Sequence, residues 1–301
     1  MAGRLQEADI RCENRSGKYN KRLSKGFVSA AIRLPLEIAG KSDAGVLREH
    51  NEDTIVTVPE LGLLVLADGM GGHSRGDVAS RIGASVIVDV IRRGLAENAA
   101  GPMHALVRRA VKLANGAIYL ESKRRAERVY SGTEQPMAST VAVVLIRDGR
   151  ATIAHVGDSR VYRLREHRIE LLTHDHTLLQ EQMDVGLLDA ESAGSSHNRH
   201  LVTRGLGFQP KLKVVVQESD ALPGDVYLLC SDGLNDMVDN ADIELVLDSL
   251  GANLPLAASQ LVMIANDNGG EDNVSVILAR IAPPKPQTSA WRKLLSRLFG
   301  D

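Results

Sequence analysis

Residues 63–73 read Leu63-Leu64-Val65-Leu66-Ala67-Asp68-Gly69-Met70-Gly71-Gly72-His73, an apolar run followed by a carboxylate and a glycine cluster. The apolar run predicts a short strand buried on both faces, and the glycines predict that this strand ends at Asp68. A carboxylate is then fixed at the mouth of a rigid element. Because a buried carboxylate is costly unless a positive group meets it, Asp68 needs a metal ion, an arginine or a helix N-terminus nearby.

Two other interpretations apply to the same stretch. A dinucleotide-binding turn needs a different glycine spacing, and Asp68 would repel the pyrophosphate. A tight turn with a capping aspartate fits the local sequence, because glycine reaches positive φ cheaply and aspartate caps helices well. The stretch alone favours this capped turn, so only the other acidic residues of the chain can indicate a metal site.

Composition excludes several classes of protein. The chain has 301 residues, of which 44% are hydrophobic, and a formal net charge of −2. With 36 Lys and Arg against 38 Asp and Glu, a broad basic surface for nucleic acid is not expected. The only cysteines, Cys12 and Cys230, do not form a disulfide framework pattern. No apolar stretch is long enough to span a membrane and no secretory signal is recognisable, so we expect a cytoplasmic protein.

Three segments are predicted from the distribution of apolar and polar residues. Residues 1–35 are polar and basic and are expected to form a flexible arm. Residues 36–282 form the folded domain. Residues 283–301 combine a proline-rich linker with a basic amphipathic helix at 290–301, for which docking on a membrane surface, on a partner or on its own domain are all considered.

Strand and helix patterns within residues 36–282 indicate the α+β class. Strands are mostly joined as hairpins and helices come in pairs, which favours antiparallel sheets covered by helices in a layered sandwich. Asp148-Gly149 predicts a hairpin, and the strand at 160–164 is expected to continue that meander. The predicted strands are 36–44, 53–58, 63–67, 139–147, 150–156, 160–164, 214–218, 226–230 and 274–281. The predicted helices are 76–95, 104–127, 178–185, 241–250 and 255–266.

Four aspartates share one local setting at the end of a predicted strand: Asp68, Asp158, Asp232 and Asp272. If these strand ends converge, the mutual repulsion of the carboxylates must be relieved by protonation or by divalent cations. The donor set is all oxygen, without Cys or His at ligand spacing, which favours Mg²⁺ or Mn²⁺ over Zn²⁺. Two such ions would activate a water for phosphoester hydrolysis, and Arg48 offers a planar fork for a phosphate.

The motifs that carry these residues occur in a recognisable order. They are Arg48-Glu49-His50-Asn51-Glu52-Asp53, Asp68-Gly69-Met70-Gly71-Gly72-His73, Gly157-Asp158-Ser159-Arg160, Ser231-Asp232-Gly233-Leu234 and Asp272-Asn273. Together they resemble the metal-dependent serine/threonine protein phosphatases of the 2C type (the PPM family), in their prokaryotic form. The resemblance covers residues 36–281. It differs from the eukaryotic pattern at Met70, where those proteins have a histidine.

This resemblance implies a four-layer α-β-β-α sandwich of two mainly antiparallel sheets flanked by helices. It implies two core Mn²⁺ or Mg²⁺ ions, with a third possible, and hydrolysis of phosphoserine and phosphothreonine in proteins by a water that bridges two ions. Such an enzyme would reverse a cognate Ser/Thr kinase in signalling. A flap at about 173–209 would lie beside the site.

The resemblance also implies a role for each site residue. Asp68 would bridge the two metals, and the Gly69 carbonyl would bind one of them. Asp232 and Asp272 would complete the other metal site, and Asp158 would help to hold the third ion. The catalytic set would be Arg48, which grips the phosphate, with Glu52 and Asp53, which hold metal-bound waters.

Two rival functions use the same fold. One is a catalytically silent module that binds phosphoproteins or a kinase, and the other is a metal-dependent phosphatase for small molecules. The intact acidic set argues against the silent module. Substrate choice depends on the flap and outer loops, so the sequence does not separate protein from small-molecule substrates.

Overall fold

The computed structural model describes residues 35–71, 75–97, 101–126, 136–188 and 201–283. The strands in these ranges are β1 (Leu36–Asp43), β2 (Thr54–Val58), β3 (Leu63–Ala67), β4 (Gly69–Met70), β5 (Ala138–Ser139), β6 (Val141–Arg147), β7 (Arg150–Val156), β8 (Arg160–Arg165), β9 (Arg168–Leu171), β10 (Val215–Asp220), β11 (Val226–Cys230) and β12 (Val274–Ile281). The helices are α1 (Gly76–Ala96), α2 (Met103–Ala126), α3 (Leu178–Asp184), α4 (Asp232–Asn235), α5 (Asn240–Leu250) and α6 (Leu254–Asp267), with a 3₁₀ turn at Pro59–Leu61.

Ten of these strands form two antiparallel five-stranded sheets. Sheet A has the order β1-β12-β11-β8-β9, and sheet B has the order β10-β7-β6-β3-β2. The short strands β4 and β5 pair with each other. Every pairing among the described strands is antiparallel, as the hairpin pattern of the sequence predicts.

Three apolar clusters hold four layers together. Residues of sheet B such as Leu64 and Val144 meet residues of sheet A such as Leu229 and Ile277 between the sheets. The other face of sheet B packs against α1 and α2, and the other face of sheet A packs against α5 and α6. The predicted α-β-β-α sandwich is therefore confirmed.

Strand β3 is the centre of this packing. All five of its side chains are buried: Val65 and Ala67 face the helical layer, while Leu64 and Leu66 face the other sheet. A strand with two buried faces has no polar alternation, which explains the unbroken apolar run. The chain does not leave extended conformation at the first glycine, however, because Gly69–Met70 forms β4 against Ser139 and Ala138.

The region around residues 147–165 contains one confirmed prediction and one wrong prediction. Asp148 and Gly149 have φ values of 51° and 72°, the left-handed pair that a two-residue hairpin turn requires. Strand β8, however, does not continue the meander, since it pairs with β11 and β9 in sheet A. The chain crosses from sheet B to sheet A at Gly157–Ser159.

Strand β9 was not predicted. Its turn, Glu166–His167, has φ values of 49° and 62° without a glycine or asparagine, so the usual turn signal is absent. Predictions for residues 1–34 and 284–301, including the arm and the amphipathic helix, lie outside the described residues. No helix in the described part of the chain is both long and apolar enough to traverse a bilayer.

Candidate active site

Antiparallel pairing brings distant chain segments to one end of the sandwich. In sheet B, the start of β6 lies between the end of β3 on one side and the end of β7 on the other. In sheet A, the end of β11 lies beside the start of β12, because Cys230 pairs with Val276. The segments that follow or precede these ends carry the acidic motifs.

The strand ends surround a cleft of about 770 Å³. Of the predicted metal ligands, Asp68, Gly69, Asp158, Asp232 and Asp272 all line this cleft. The structure thus brings together the carboxylates that the sequence places at separate strand ends.

Of the predicted catalytic residues, Arg48 and Glu52 line the cleft and Asp53 does not. Asp53 lies behind the surface carboxylates, where its Oδ2 accepts a hydrogen bond from Ser231 Oγ at 2.9 Å. It still acts on the site electrostatically, because its charge is the largest single carboxylate contribution to the raised pKa of Asp68.

Burial and mutual repulsion raise the pKa values of the acidic group. Desolvation is the largest cause for Asp68 and Asp232, and each is raised further by neighbouring carboxylates. Desolvation also raises the pKa of Asp53 to about 7, with a contribution from Asp272, and that of Asp158 to about 7, with a contribution from Asp175. These side chains therefore favour either protons or cations at neutral pH.

The donor set fits hard divalent cations. Asp232 lines the cleft, and its buried Oδ1 makes no hydrogen bond, so the lone pairs of this oxygen are unused. Within the described ranges, no three Asp, Glu, His or Cys side chains close around a single point. Carboxylate and carbonyl oxygens are the ligands that Mg²⁺ and Mn²⁺ prefer, so the residues that line the cleft fit ions of this kind.

Arg48 supplies the positive charge on the rim of the cleft. Its Nη2 lies 2.6 Å from Asp272 Oδ2, and its Nε donates to the Glu271 carbonyl at 3.3 Å. The side chain is 55% exposed, so the pair with Asp272 is worth little to stability. Its placement leaves the guanidinium within the cleft lining.

Glu52 is held between a helix start and an asparagine. Its backbone N–H donates to Asn273 Oδ1 at 2.8 Å, and the N–H of Gly76 donates to its carboxylate. Burial raises the pKa of Glu52, while the Gly76 hydrogen bond opposes that rise. Asn273 also donates from Nδ2 to the carbonyls of Ala44 and His50, at 2.9 Å each. One amide thus orders the loop that carries Arg48 and Glu52.

Gly69 is required by close packing. A Cβ at this position would lie 2.1 Å from the Gly76 carbonyl oxygen and 2.6 Å from that of Glu52. The residue after Asp68 must therefore be glycine for β4 to lie against the start of α1. This explains the Asp-Gly order in physical terms.

The turn that carries Asp158 is fixed by a buried histidine. Gly157 has φ of 101°, its N–H donates to His176 Nδ1 at 3.1 Å, and its carbonyl accepts from the His176 N–H at 3.0 Å. The His176 ring stacks on His155, with centroids 4.8 Å apart. Burial lowers the pKa of both imidazoles, that of His176 to about 3. Both rings are therefore neutral and act as packing and hydrogen-bonding groups.

Two residues of the site were missed by the sequence analysis. Asp236 lines the cleft and raises the pKa values of Asp232 and Asp158, and Asn273 organises the loop described above. Asp236 stands four residues after Asp232, the spacing that puts two side chains on one face of a helical turn. That spacing was the available signal, whereas nothing local indicated the role of Asn273.

Comparison with known proteins agrees with this geometry. The family model for protein phosphatase 2C matches residues 48–260. The chain belongs to the protein phosphatase 2C family. The matched range begins at Arg48 and contains the acidic motifs up to Asp232, so the resemblance inferred from the motifs is confirmed.

Bacterial members of the phosphatase 2C family are similar in sequence. The serine/threonine protein phosphatase PstP of Mycobacterium tuberculosis is 34% identical over 254 residues, 84% of this chain and 46% of PstP. The serine/threonine phosphatase stp of Listeria monocytogenes is 32% identical over 241 residues, 79% of this chain and 93% of stp. The chain therefore spans about half the length of PstP and nearly all of stp.

Solved structures of the same family share the fold. The structure of M. tuberculosis PstP/Ppp aligns with a TM-score of 0.74 and 32% identity, covering 82% of this chain and 99% of that one. The catalytic domain of PstP in complex with two manganese ions aligns with a TM-score of 0.71 and 31% identity, over 82% and 99% of the two chains.

Proposed function

We propose that this protein hydrolyses phosphoserine and phosphothreonine in proteins with the help of divalent metal ions. The observation that carries the proposal is the convergence of Asp68, Asp232 and Asp272 on one cleft that also presents Arg48. The named activities of PstP and stp, and the two manganese ions bound to PstP, support the same assignment for this chain.

The residues present fit two core ions of Mn²⁺ or Mg²⁺. Asp68, Asp232 and Asp272, with the Gly69 carbonyl, would hold them, and Asp158 with Asp232 would hold a third. Glu52 lines the cleft, where its carboxylate would accept a hydrogen bond from metal-bound water, whereas Asp53 lies behind the cleft and would act on the site through its charge. Bound ions of this kind lower the pKa of water and neutralise the charge of a phosphoryl group.

The chain itself supplies orientation and charge. The Arg48 guanidinium has planar donors that match two phosphate oxygens, and its loop is fixed through Asn273. A phosphate reaching this position would compete with Asp272 for Arg48. We therefore assign to Arg48 the orientation of the substrate.

Metal titration followed by an activity assay tests the proposal. The protein is freed of metal with EDTA, Mn²⁺ binding is measured by calorimetry, and hydrolysis of p-nitrophenyl phosphate and a phosphothreonine peptide is then followed. We expect metal-dependent turnover and weakened Mn²⁺ binding in Asp232→Asn. Asp267→Asn, an exposed aspartate at the end of α6, is the matched control. Phosphopeptide binding without hydrolysis would favour the silent module instead.

We also propose a phosphatase domain at residues 36–282, a cognate Ser/Thr kinase whose products it dephosphorylates, and a peripheral membrane contact through residues 290–301. The last segment lies outside the described residues, and its basic and apolar composition supports the contact. Deleting residues 287–301 and measuring co-sedimentation with anionic vesicles tests it. Equal co-sedimentation of the full and truncated chains would contradict the proposed membrane contact.

A further inference from the structure

A second cavity, of about 260 Å³, lies beside the catalytic cleft. Helix α2 forms one wall with Tyr119, Lys123 and Arg125, and Arg75 and Phe208 stand among the other lining residues. None of these side chains lines the catalytic cleft.

Gly71 lies next to both spaces. Gly71 lines the catalytic cleft, and a Cβ at its position would lie 3.3 Å from Met137 Cα and 3.4 Å from Arg75 Cβ. Met137 and Arg75 both line the second cavity. The catalytic cleft and the second cavity therefore adjoin each other at Gly71.

The cavity wall is held in place by buried contacts. Leu206 exchanges two backbone hydrogen bonds with Ser139, at 2.7 and 3.1 Å, which fixes the segment that carries Phe208. Asn115, which is buried in α2, accepts from the Gly207 N–H at 2.9 Å and donates to the Gln209 carbonyl at 3.0 Å. The cavity is therefore built into the fold.

The described residues that line the second cavity include three basic side chains, those of Arg75, Lys123 and Arg125, and no carboxylate. The Lys123 ammonium lies 5.7 Å from the centroid of the Tyr119 ring, and in the described part of the chain no carboxylate pairs with it. Glu121 is bound by both Arg124 and Arg125, at 2.7 and 2.8 Å, so one carboxylate is shared by two guanidinium groups. This local excess of positive charge favours an anionic occupant.

We propose that the second cavity binds an anionic side chain of the protein substrate, a carboxylate or a second phosphoryl group, while the scissile phosphate lies in the catalytic cleft. This inference rests on the proposed function and adds a substrate preference to it. Lys123 and Arg125 would contact the anion, and the Tyr119 and Phe208 rings would flank the adjoining chain.

A phosphothreonine peptide series tests this preference. One glutamate, or one additional phosphoserine, is moved stepwise along an otherwise neutral peptide, and kcat/KM is measured for the wild type with Mn²⁺. We expect a preferred position with kcat/KM on the order of tenfold above the neutral peptide, as for a charge-assisted hydrogen bond. Lys123→Gln should lose this preference. Lys112→Gln, on the same helix but outside the cavity, should keep it.

Hydrolysis of p-nitrophenyl phosphate separates failure of the preference from failure of the enzyme. This substrate is too short to pass Gly71, so its turnover should be equal in the wild type and Lys123→Gln. The inference would be overturned by normal turnover without any peptide preference, or by a preference that persists in Lys123→Gln. Neither result would contradict the proposed phosphatase activity. A third outcome is that sulfate inhibits the wild type but not Lys123→Gln, while no peptide preference is found. That result would overturn the inference and would indicate that the cavity binds a free anion instead.

Discussion

The stability of the metal-free protein should rise as the pH falls from about 8 to about 6.5. Burial raises the pKa values of Asp53 and Asp158 from 3.8 to about 7. A carboxylate with a higher pKa in the folded than in the unfolded chain takes up its proton first in the folded state, which stabilises that state as protons become available. The contribution is complete below the unfolded pKa and is lost as the pH rises through the folded pKa.

The chosen pH range isolates this effect from the histidines. His155 and His176 have lowered pKa values, so they oppose folding only when the pH falls below their ordinary value of 6.5. When the pH falls from 8 to 6.5, a carboxylate with a folded pKa near 7 adds about 1 kcal/mol to the free energy of unfolding. Asp53 and Asp158 together contribute about 2 kcal/mol, or an increase in Tm of roughly 4–8 °C for a domain of this size.

Differential scanning calorimetry in EDTA at the two pH values measures this shift. Saturating Mn²⁺ should remove most of it, because ions and protons compete for the same carboxylates. Asp158→Asn should reduce the shift in EDTA, since one titrating group is removed. A Tm in EDTA that is unchanged, or lower at the lower pH, would refute the buried carboxylate cluster on which the site depends.

Three substitutions test individual residues. Asp232→Asn should nearly abolish turnover yet raise the Tm in EDTA, because the amide is neutral when buried without having to take up a proton. Full turnover in this variant would contradict the assigned ligand. Arg48→Ala should raise KM about tenfold with a smaller effect on kcat, whereas the control variant Arg81→Ala should leave both unchanged. An unchanged KM in Arg48→Ala would exclude contact between Arg48 and the phosphate. In urea unfolding, Gly157→Ala should destabilise the fold by about 2 kcal/mol more than Gly149→Ala. Both glycines have positive φ, but only a Cβ at residue 157 would clash, since it would lie 2.6 Å from Thr140 Cβ. Equal losses of stability in the two variants would exclude the clash.

Much of the fold could be predicted because its signals are local. Helices α1 and α2 follow the apolar periodicity of their sequences to within one or two residues, and Asp148-Gly149 marked its hairpin. The aspartates were recognisable because each stands next to a strand end. Strand β9 and its Glu166–His167 turn were missed because the backbone adopts left-handed φ values there without the residue types that favour them.

The site could be predicted only in part, because several of its members act over long sequence separations. Arg48 pairs with Asp272, 224 positions away, and Asn273 orders a loop more than 200 positions earlier in the chain. Asp53 was expected to act with Glu52 on metal-bound water, yet its carboxylate lies outside the cleft lining, where Ser231 donates a hydrogen bond to it. The role of each ligand in binding metal stays a prediction.

The sequence by itself determined the α+β class, the central buried strand, the family and the acidic residues at strand ends, because periodicity, turn chemistry and motif order are properties of neighbouring residues. Tertiary structure alone decided that β8 joins the opposite sheet, that Asp53 lies behind the cleft, and that a cavity lined by basic side chains adjoins the cleft at Gly71. These features arise from which distant strands pair and which faces meet, and packing free energy across the whole domain selects them.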